Sequence, residues 1–383
     1  MRRYLNSILA TTFLLSSSFA RAADAPPAAP AAAAEVKPRI DIVFCIDCSG
    51  SMGPVIETAK QKVWAIVNQV ARAKPSPELR IGLIGYGNAM GPFRTFPLSS
   101  DLDDVYKNLL PFDDRLGGDE YVGLAIHKAT TEMKWAEGKQ VMKVIYVVGN
   151  ETAHQGPAEF DYTKTAPAAI AQGIMVNAIY CGDYDYKTAP PTWKEFAKLA
   201  DGSYMEIGGT GGAVVVATPF DDQLADLSGK LNTTYVGYGR ERGLKLAQQS
   251  ANDQQAAQYN PSSAADRAGS KASRQYDNST WDLVDAAKNN KDFDIKKLKE
   301  EELPEELRKM TPDERAAYVA KKSKERDEIA GQIKELSVKR DAYIKDEVQK
   351  KGLDTNKAFD QAVRQSITEQ AAKKGFEFEK EAK

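Results

Sequence analysis

The sequence predicts an α/β fold, a doubly wound and mainly parallel sheet, followed by a mostly α-helical C-terminal region. Three observations carry this. From residue 40 to 235 short apolar runs alternate with amphipathic helical stretches. Several of those runs are continuously apolar, as strands covered on both faces must be. Beyond residue 239 the strand-like runs stop, and helix formers with dense charge of both signs take over.

Each element follows from its local pattern. Residues 40–47 read as a buried strand, and 54–73 as a helix with Val55, Val63, Trp64, Ile66, Val67 and Val70 facing inward. Strands are then expected over 79–86 and 93–98, a short helix over 105–110 and a longer one over 121–135. Strand 141–148, helix 166–171, strand 174–180, helix 193–199, strand 203–207 and helix 220–235 complete the alternation. In the charged region, helices are expected over 244–260 and 264–276, and Ser279-Thr280-Trp281-Asp282 opens another. Thr311-Pro312-Asp313-Glu314 is a helix start, with threonine as cap, proline in the first turn and acids at the positive end. That helix extends towards Lys351, and its apolar positions Ile329, Ile333, Leu336 and Tyr343, interrupted by Arg340, suit packing on a neighbouring helix rather than an extended coiled coil.

The 383 residues exceed what one core usually organises, so more than one folded unit is expected. A net charge of -2 with 28% charged residues of mixed sign suits a soluble protein and lacks the one-sided basic footprint of a nucleic-acid binder. Met1-Arg2-Arg3, the apolar run 5–15 and Ala20-Arg21-Ala22 have the form of a secretory signal peptide, residues 1–22. The expectation is a periplasmic or secreted protein with no transmembrane segment in the mature chain. Residues 23–38, nearly all Ala, Pro and acid, read as a linker; 39–239 form the α/β domain and 240–383 the helical region. Of the three cysteines, Cys45 lies in the first strand, while Cys48 and Cys181 end strands and leave a disulfide or a reactive thiol open.

In open α/β sheets ligands sit beyond the carboxyl ends of the strands. Directly after the first strand stands Asp47-Cys48-Ser49-Gly50-Ser51, one carboxylate and two hydroxyls on a tight turn, the hard oxygen donors that Mg²⁺ prefers. The simpler reading is that Asp47 or Ser49 caps the following helix. This D-x-S-x-S motif, placed between a buried strand and an amphipathic helix, resembles the von Willebrand factor type A (VWA) family over roughly residues 38–235. The resemblance implies a doubly wound fold and a metal-ion-dependent adhesion site built from three loops. In that family the second loop supplies threonine and the third aspartate. Here Leu116-Gly117-Gly118-Asp119-Glu120 puts Asp119 at the second, and Gly149-Asn150-Glu151 puts Asn150 at the third. The implied ligands of one ion, Mg²⁺ or else Mn²⁺ or Ca²⁺, are therefore Asp47, Ser49, Ser51, Asp119 and Asn150.

Other motifs are weaker. His154 sits in the loop beyond Asn150, as a rim residue or simply in solvent, and neither it nor His127 has zinc-ligand spacing. Gly208-Gly209-Thr210-Gly211-Gly212 lacks the Gly-Lys-Ser/Thr of a phosphate loop and reads as a flexible loop. No serine or cysteine stands in a nucleophile context, so an enzyme is not expected. The expected function is a metal-dependent protein-binding module of the bacterial envelope, of adhesion or scaffold type, coordinating a partner's carboxylate. The alternative is a structural envelope protein with a degenerate metal site whose helical tail mediates interactions.

Overall fold

Nine residues, Arg39–Asp47 (β1), enter the core in extended form, and eight of them are buried, because apolar side chains point from both faces of the strand. The computed structural model describes residues 37–87, 93–182, 188–212, 214–355 and 357–378. The signal peptide and nearly all of the linker expected from the sequence lie outside them.

After β1 come the helix α1 (Gly53–Ala71), the two-residue β2 (Ala73–Lys74) and the strands β3 (Glu78–Tyr86) and β4 (Arg94–Ser99). Helices α2 (Leu102–Leu109) and α3 (Val122–Glu132) precede β5 (Val141–Gly149); α4 (Tyr162–Ile170) precedes β6 (Met175–Tyr180); and α5 (Ala189–Leu199) precedes β7 (Tyr204–Glu206). The chain continues as α6 (Asp221–Asn232), α7 (Arg242–Tyr259), α8 (Pro261–Lys271), α9 (Leu283–Asn289), the short α10 (Glu305–Arg308), α11 (Pro312–Lys351), α12 (Phe359–Ala372) and β8 (Glu377–Phe378).

The main sheet has the order β4-β3-β1-β5-β6-β7, parallel except for the antiparallel edge strand β4. The chain steps from β1 to β3 on one side and later to β5 on the other, so the switch in strand order falls at the ends of β1 and β5. Loops leaving these two strands diverge to opposite sides and open a crevice between them.

One sheet face, through Val43, Cys45, Ile145 and Val147, packs on α3, α4 and α5. The other, through Ile42, Phe44, Ile46 and Tyr146, is covered by α1 and by elements from the C-terminal half of the chain. Helix α12 closes this face: Phe359 lies 6.3 Å from Phe44 between ring centres, and the Tyr146 hydroxyl is 2.7 Å from Ser366 Oγ. Asn177 and Gln370, both buried, exchange amide hydrogen bonds of 3.0 and 2.7 Å.

The start of α11 follows the sequence closely. Thr311 and Glu314 form a reciprocal capping box, Pro312 opens the first turn, and Gly352 in left-handed conformation ends the helix. Arg340, which interrupts its apolar seam, is itself buried and pairs with Asp221 at 2.7 Å and Asp266 at 2.9 Å. The interruption thus ties α11 to α6 and α8. Residues 208–212, expected to be flexible, are tied down: the Phe359 amide donates to Gly211 O at 3.1 Å and the Thr58 hydroxyl to Thr210 O at 3.2 Å. Gly211 and Gly212 have φ of +78 and +60, and a Cβ on Gly212 would lie 2.1 Å from Lys357 O, so glycine is required where α12 docks.

Candidate metal site

Strand β1 delivers Asp47, fully buried, to the crevice. The turn after it is clamped by backbone bonds, Cys48 N to Tyr86 O at 2.8 Å and Leu116 N to Cys48 O at 2.9 Å, which join the first and second loops. Asp47 Oδ1 accepts the Ser49 amide at 2.8 Å. Neither Asp47 nor Ser49 caps α1; its cap position is Met52, without a side-chain bond. The capping reading therefore has no support in the geometry.

In the third loop, Asn150 Nδ2 donates to Ser51 Oγ at 2.8 Å, while the buried Asn150 carbonyl oxygen has no donor. Four buried oxygens share that condition: Asp47 Oδ2, Ser49 Oγ, Asn150 Oδ1 and Glu120 Oε2. Buried polar atoms are almost always satisfied, so four from three loops are an unusual concentration.

The second loop departs from the expectation. Asp119 is exposed, and the residue that turns inward is Glu120, with 2% of its surface accessible. The reason lies in the backbone. Tyr121 N donates to Gly87 O at 3.2 Å and Glu120 N donates to the Gln155 side chain, so Glu120, just before the cap residue Tyr121 of α3, is drawn into the crevice while its predecessor stays outside. Gln155 is braced in turn by Glu151, at 2.7 Å. Of the expected ligands, the structure brings together Asp47, Ser49, Ser51 and Asn150, and adds Glu120, which sequence reasoning missed. The one available signal was that Glu120 directly precedes the helix expected from residue 121, one residue closer to it than Asp119.

Electrostatics fit the geometry. Burial pushes the Asp47 carboxyl up to about 6, against the lowering influence of its Glu120 and Ser49 neighbours. Burial, and then the adjoining Asp47 carboxylate, push Glu120 up to about 10. Two adjoining buried carboxyls do not both carry charge unless a cation stands between them; without one, they share a proton. Among the described residues no three His, Cys, Asp or Glu side chains converge as a metal cluster. A cation here would meet two carboxylates together with hydroxyl and amide oxygens, a hard donor set of the Mg²⁺, Mn²⁺ or Ca²⁺ kind rather than a soft one. The residues present fit that group.

The remaining candidates are structural. His154 Nδ1 lies 2.9 Å from Asp161 Oδ2 and its Nε2 lies 2.9 Å from the Tyr162 hydroxyl, which donates to Glu195 at 2.8 Å. This chain of bonds braces the third loop against α4 and α5. His127 packs its ring on Phe160, 4.8 Å between centres. All three cysteines are buried thiols, so no disulfide joins Cys48 to Cys181. Burial pushes the Cys48 thiol up to about 12, which keeps it protonated and unreactive.

Residues 41–201 match the family model of the von Willebrand factor type A domain. No curated protein matches the chain. Similar solved structures include the conserved hypothetical protein BatB from Bacteroides thetaiotaomicron, with 20% identity over 44% of this chain and 90% of that one and a TM-score of 0.35. The SpRpn10 VWA domain has 18% identity over 49% and 94% of the two chains and a TM-score of 0.34. Proximal thread matrix protein 1 from the mussel byssus, with a zinc-occupied MIDAS motif, has 16% identity over 45% of this chain and 42% of that one and a TM-score of 0.37. Such likenesses concern the fold alone.

Proposed function

Since residues 41–201 form a von Willebrand factor type A domain, we propose that this chain is a protein-binding module that takes up one divalent cation at the crevice and through it grips a carboxylate of a protein partner. Domains of this family are typically interaction modules, and the reading is binding rather than catalysis. The observation that carries it is the set of four buried oxygens without donors, Asp47 Oδ2, Ser49 Oγ, Glu120 Oε2 and Asn150 Oδ1. Asp47 and Glu120 would hold the ion by charge, while Ser49, Ser51 and Asn150 would supply neutral oxygens directly or through water. The bound cation supplies an electrophilic centre for an incoming anion, and neutral protein ligands leave it more so. Mg²⁺ is the ion we favour, with Mn²⁺ and Ca²⁺ as the other hard candidates. From the leader-like residues 1–22 we further propose that this activity belongs to the periplasm or the outside of the cell.

The experiment is titration calorimetry of the full chain with MgCl₂, MnCl₂ and CaCl₂, beside Asp47→Ala and Asp119→Ala. Uptake of one ion, abolished by Asp47→Ala and retained by Asp119→Ala, supports the proposal. Absence of heat with all three ions would sink it.

A further inference from the structure

A cleft of about 630 Å³ opens at the edge of the sheet opposite Asp47. Because the strands run parallel, the amino ends of β6 and β7 lie away from the crevice, and Met175 and Tyr204, the first residues of these strands, form part of the cleft's lining. One wall is α5, with Lys194 and Lys198; the other is the end of α12, with Gln370 followed by Lys373 and Lys374. Four lysines therefore face a space of small-molecule size above a partly apolar floor.

Their charge exceeds that of the one acid in the lining. Among the described residues none of the four has a salt bridge, although many lysines elsewhere do, such as Lys350 with Asp346 and Lys351 with Glu347. Neighbouring acids are engaged otherwise: Glu195 accepts the Tyr162 hydroxyl at 2.8 Å, Glu206 the Tyr204 hydroxyl at 2.9 Å and Glu369 the Gln365 amide at 2.9 Å. Lys194 stands 5.0 Å from the centre of the Tyr204 ring, which aims a cation over the floor. Gln370 is held by its reciprocal bonds with Asn177, so the α12 wall is fixed to β6.

The single acid in the lining, Asp201, has a local reason to be there. It ends α5 in the left-handed conformation, φ 51, and Gly202 N closes the turn onto Ala197 O at 2.8 Å. Short polar residues tolerate that backbone, and asparagine does so as well as aspartate. The carboxylate is thus explained by the turn rather than by neutralisation of the lysines.

We propose that this cleft binds a small organic anion bearing two or more negative charges. Clustered cations in a concave site raise the local potential for an anion far more than scattered ones do. Lysines recognise charge rather than a planar fork, so phosphate and carboxylate groups are both suitable sources. The site is independent of the cation crevice, which lies at the other ends of the strands.

The test is calorimetry of the full chain at constant ionic strength, without divalent ions, using pyrophosphate and citrate as probes. Binding of pyrophosphate alone identifies a phosphate ligand, of citrate alone a polycarboxylate, and of both a general polyanion site. Lys198→Gln combined with Lys374→Gln should weaken binding at least tenfold, while Lys309→Gln, outside the cleft, should leave it unchanged. Asp201→Asn should strengthen it several-fold, with the turn retained. No binding of either probe, or equal affinity in all variants, overturns the proposal and leaves the cation site untouched.

Discussion

Asp47 and Glu120 stand side by side in a buried pocket, brought from the end of β1 and the start of α3, and each keeps one carboxylate oxygen that no donor reaches. Such a pair is costly in an empty pocket and favourable around a cation. The same two side chains should therefore act with opposite sign on the stability of the ion-free chain and on ion uptake.

Glu120→Gln keeps the shape and replaces a carboxyl that burial and Asp47 force to hold a proton near neutral pH. In the presence of chelator the variant should unfold later than the parent near pH 7, by at least about 1 kcal/mol, because its folding no longer requires an ionised carboxylate to take up a proton. With Mg²⁺ the order should invert, because the parent gains about 2.7 kcal/mol at a hundredfold excess over its dissociation constant and the variant gains less. Denaturant unfolding with chelator and with MgCl₂ checks both signs. A variant less stable than the parent in chelator would contradict the account.

How much of this was legible in the sequence depends on how local its cause is. The strands were readable because both faces are buried, so residues 42–46 of β1 and 144–148 of β5 show as unbroken apolar runs. The start of α11 was readable because its cap, proline and acids are contiguous. Glu120 was not, since the choice between it and Asp119 is made by Gly87 and Gln155, which bond to the loop from elsewhere in the chain. Helix α12 escaped for the same reason. Its Ser366 meets Tyr146 across 220 positions, and its mixed sequence gives no hint that the far side of a sheet awaits it. The apparent flexibility of residues 208–212 vanishes once Thr58 and Phe359 are placed beside them.

Arg326 is the hub of a second buried cluster. Its Nη1 lies 2.6 Å from both Asp282 Oδ2 and Asp285 Oδ1, its Nη2 donates to Thr234 O at 2.8 Å, and its guanidinium stacks 4.0 Å from the Tyr235 ring. Asp282, wholly buried, also caps α9 and accepts the Val236 amide. Arg326→Met strands two buried carboxylates and should cost about 3–5 kcal/mol, measured by urea unfolding. A loss below 1 kcal/mol would mean that the cluster is hydrated rather than buried.

The same cluster gives a pH signature. Burial, with Asp282 adding to it and Arg326 opposing, raises the Asp285 carboxyl from 3.8 to about 6. The folded state then binds more protons than the unfolded one between these values, so this group's contribution to stability falls as pH rises through that window. Asp285→Asn abolishes the titration. Its stability relative to the parent should therefore be better at pH 7 than at pH 4, by on the order of 2 kcal/mol. Parallel stability–pH curves for the two proteins would refute this.

Helix α12 supplies the last prediction, because it covers a sheet face belonging to the domain that the family model ends at residue 201. Phe359 is 2% exposed and packs towards Phe44, Ala371 and Ile367 are fully buried, and Gln370 satisfies Asn177 beneath the helix. Removing the helix exposes Phe44 and Tyr146 and leaves the Asn177 amide without its buried partner. A chain ending at residue 355 should therefore lose cooperative unfolding or aggregate, and one ending at residue 239 should fare worse, since α8 and α11 go too. The single change Phe359→Ala, which keeps the helix, should cost about 3–5 kcal/mol in urea unfolding. If the chain cut at residue 355 unfolds with the midpoint and steepness of the full protein, α12 is an appendage rather than part of the core.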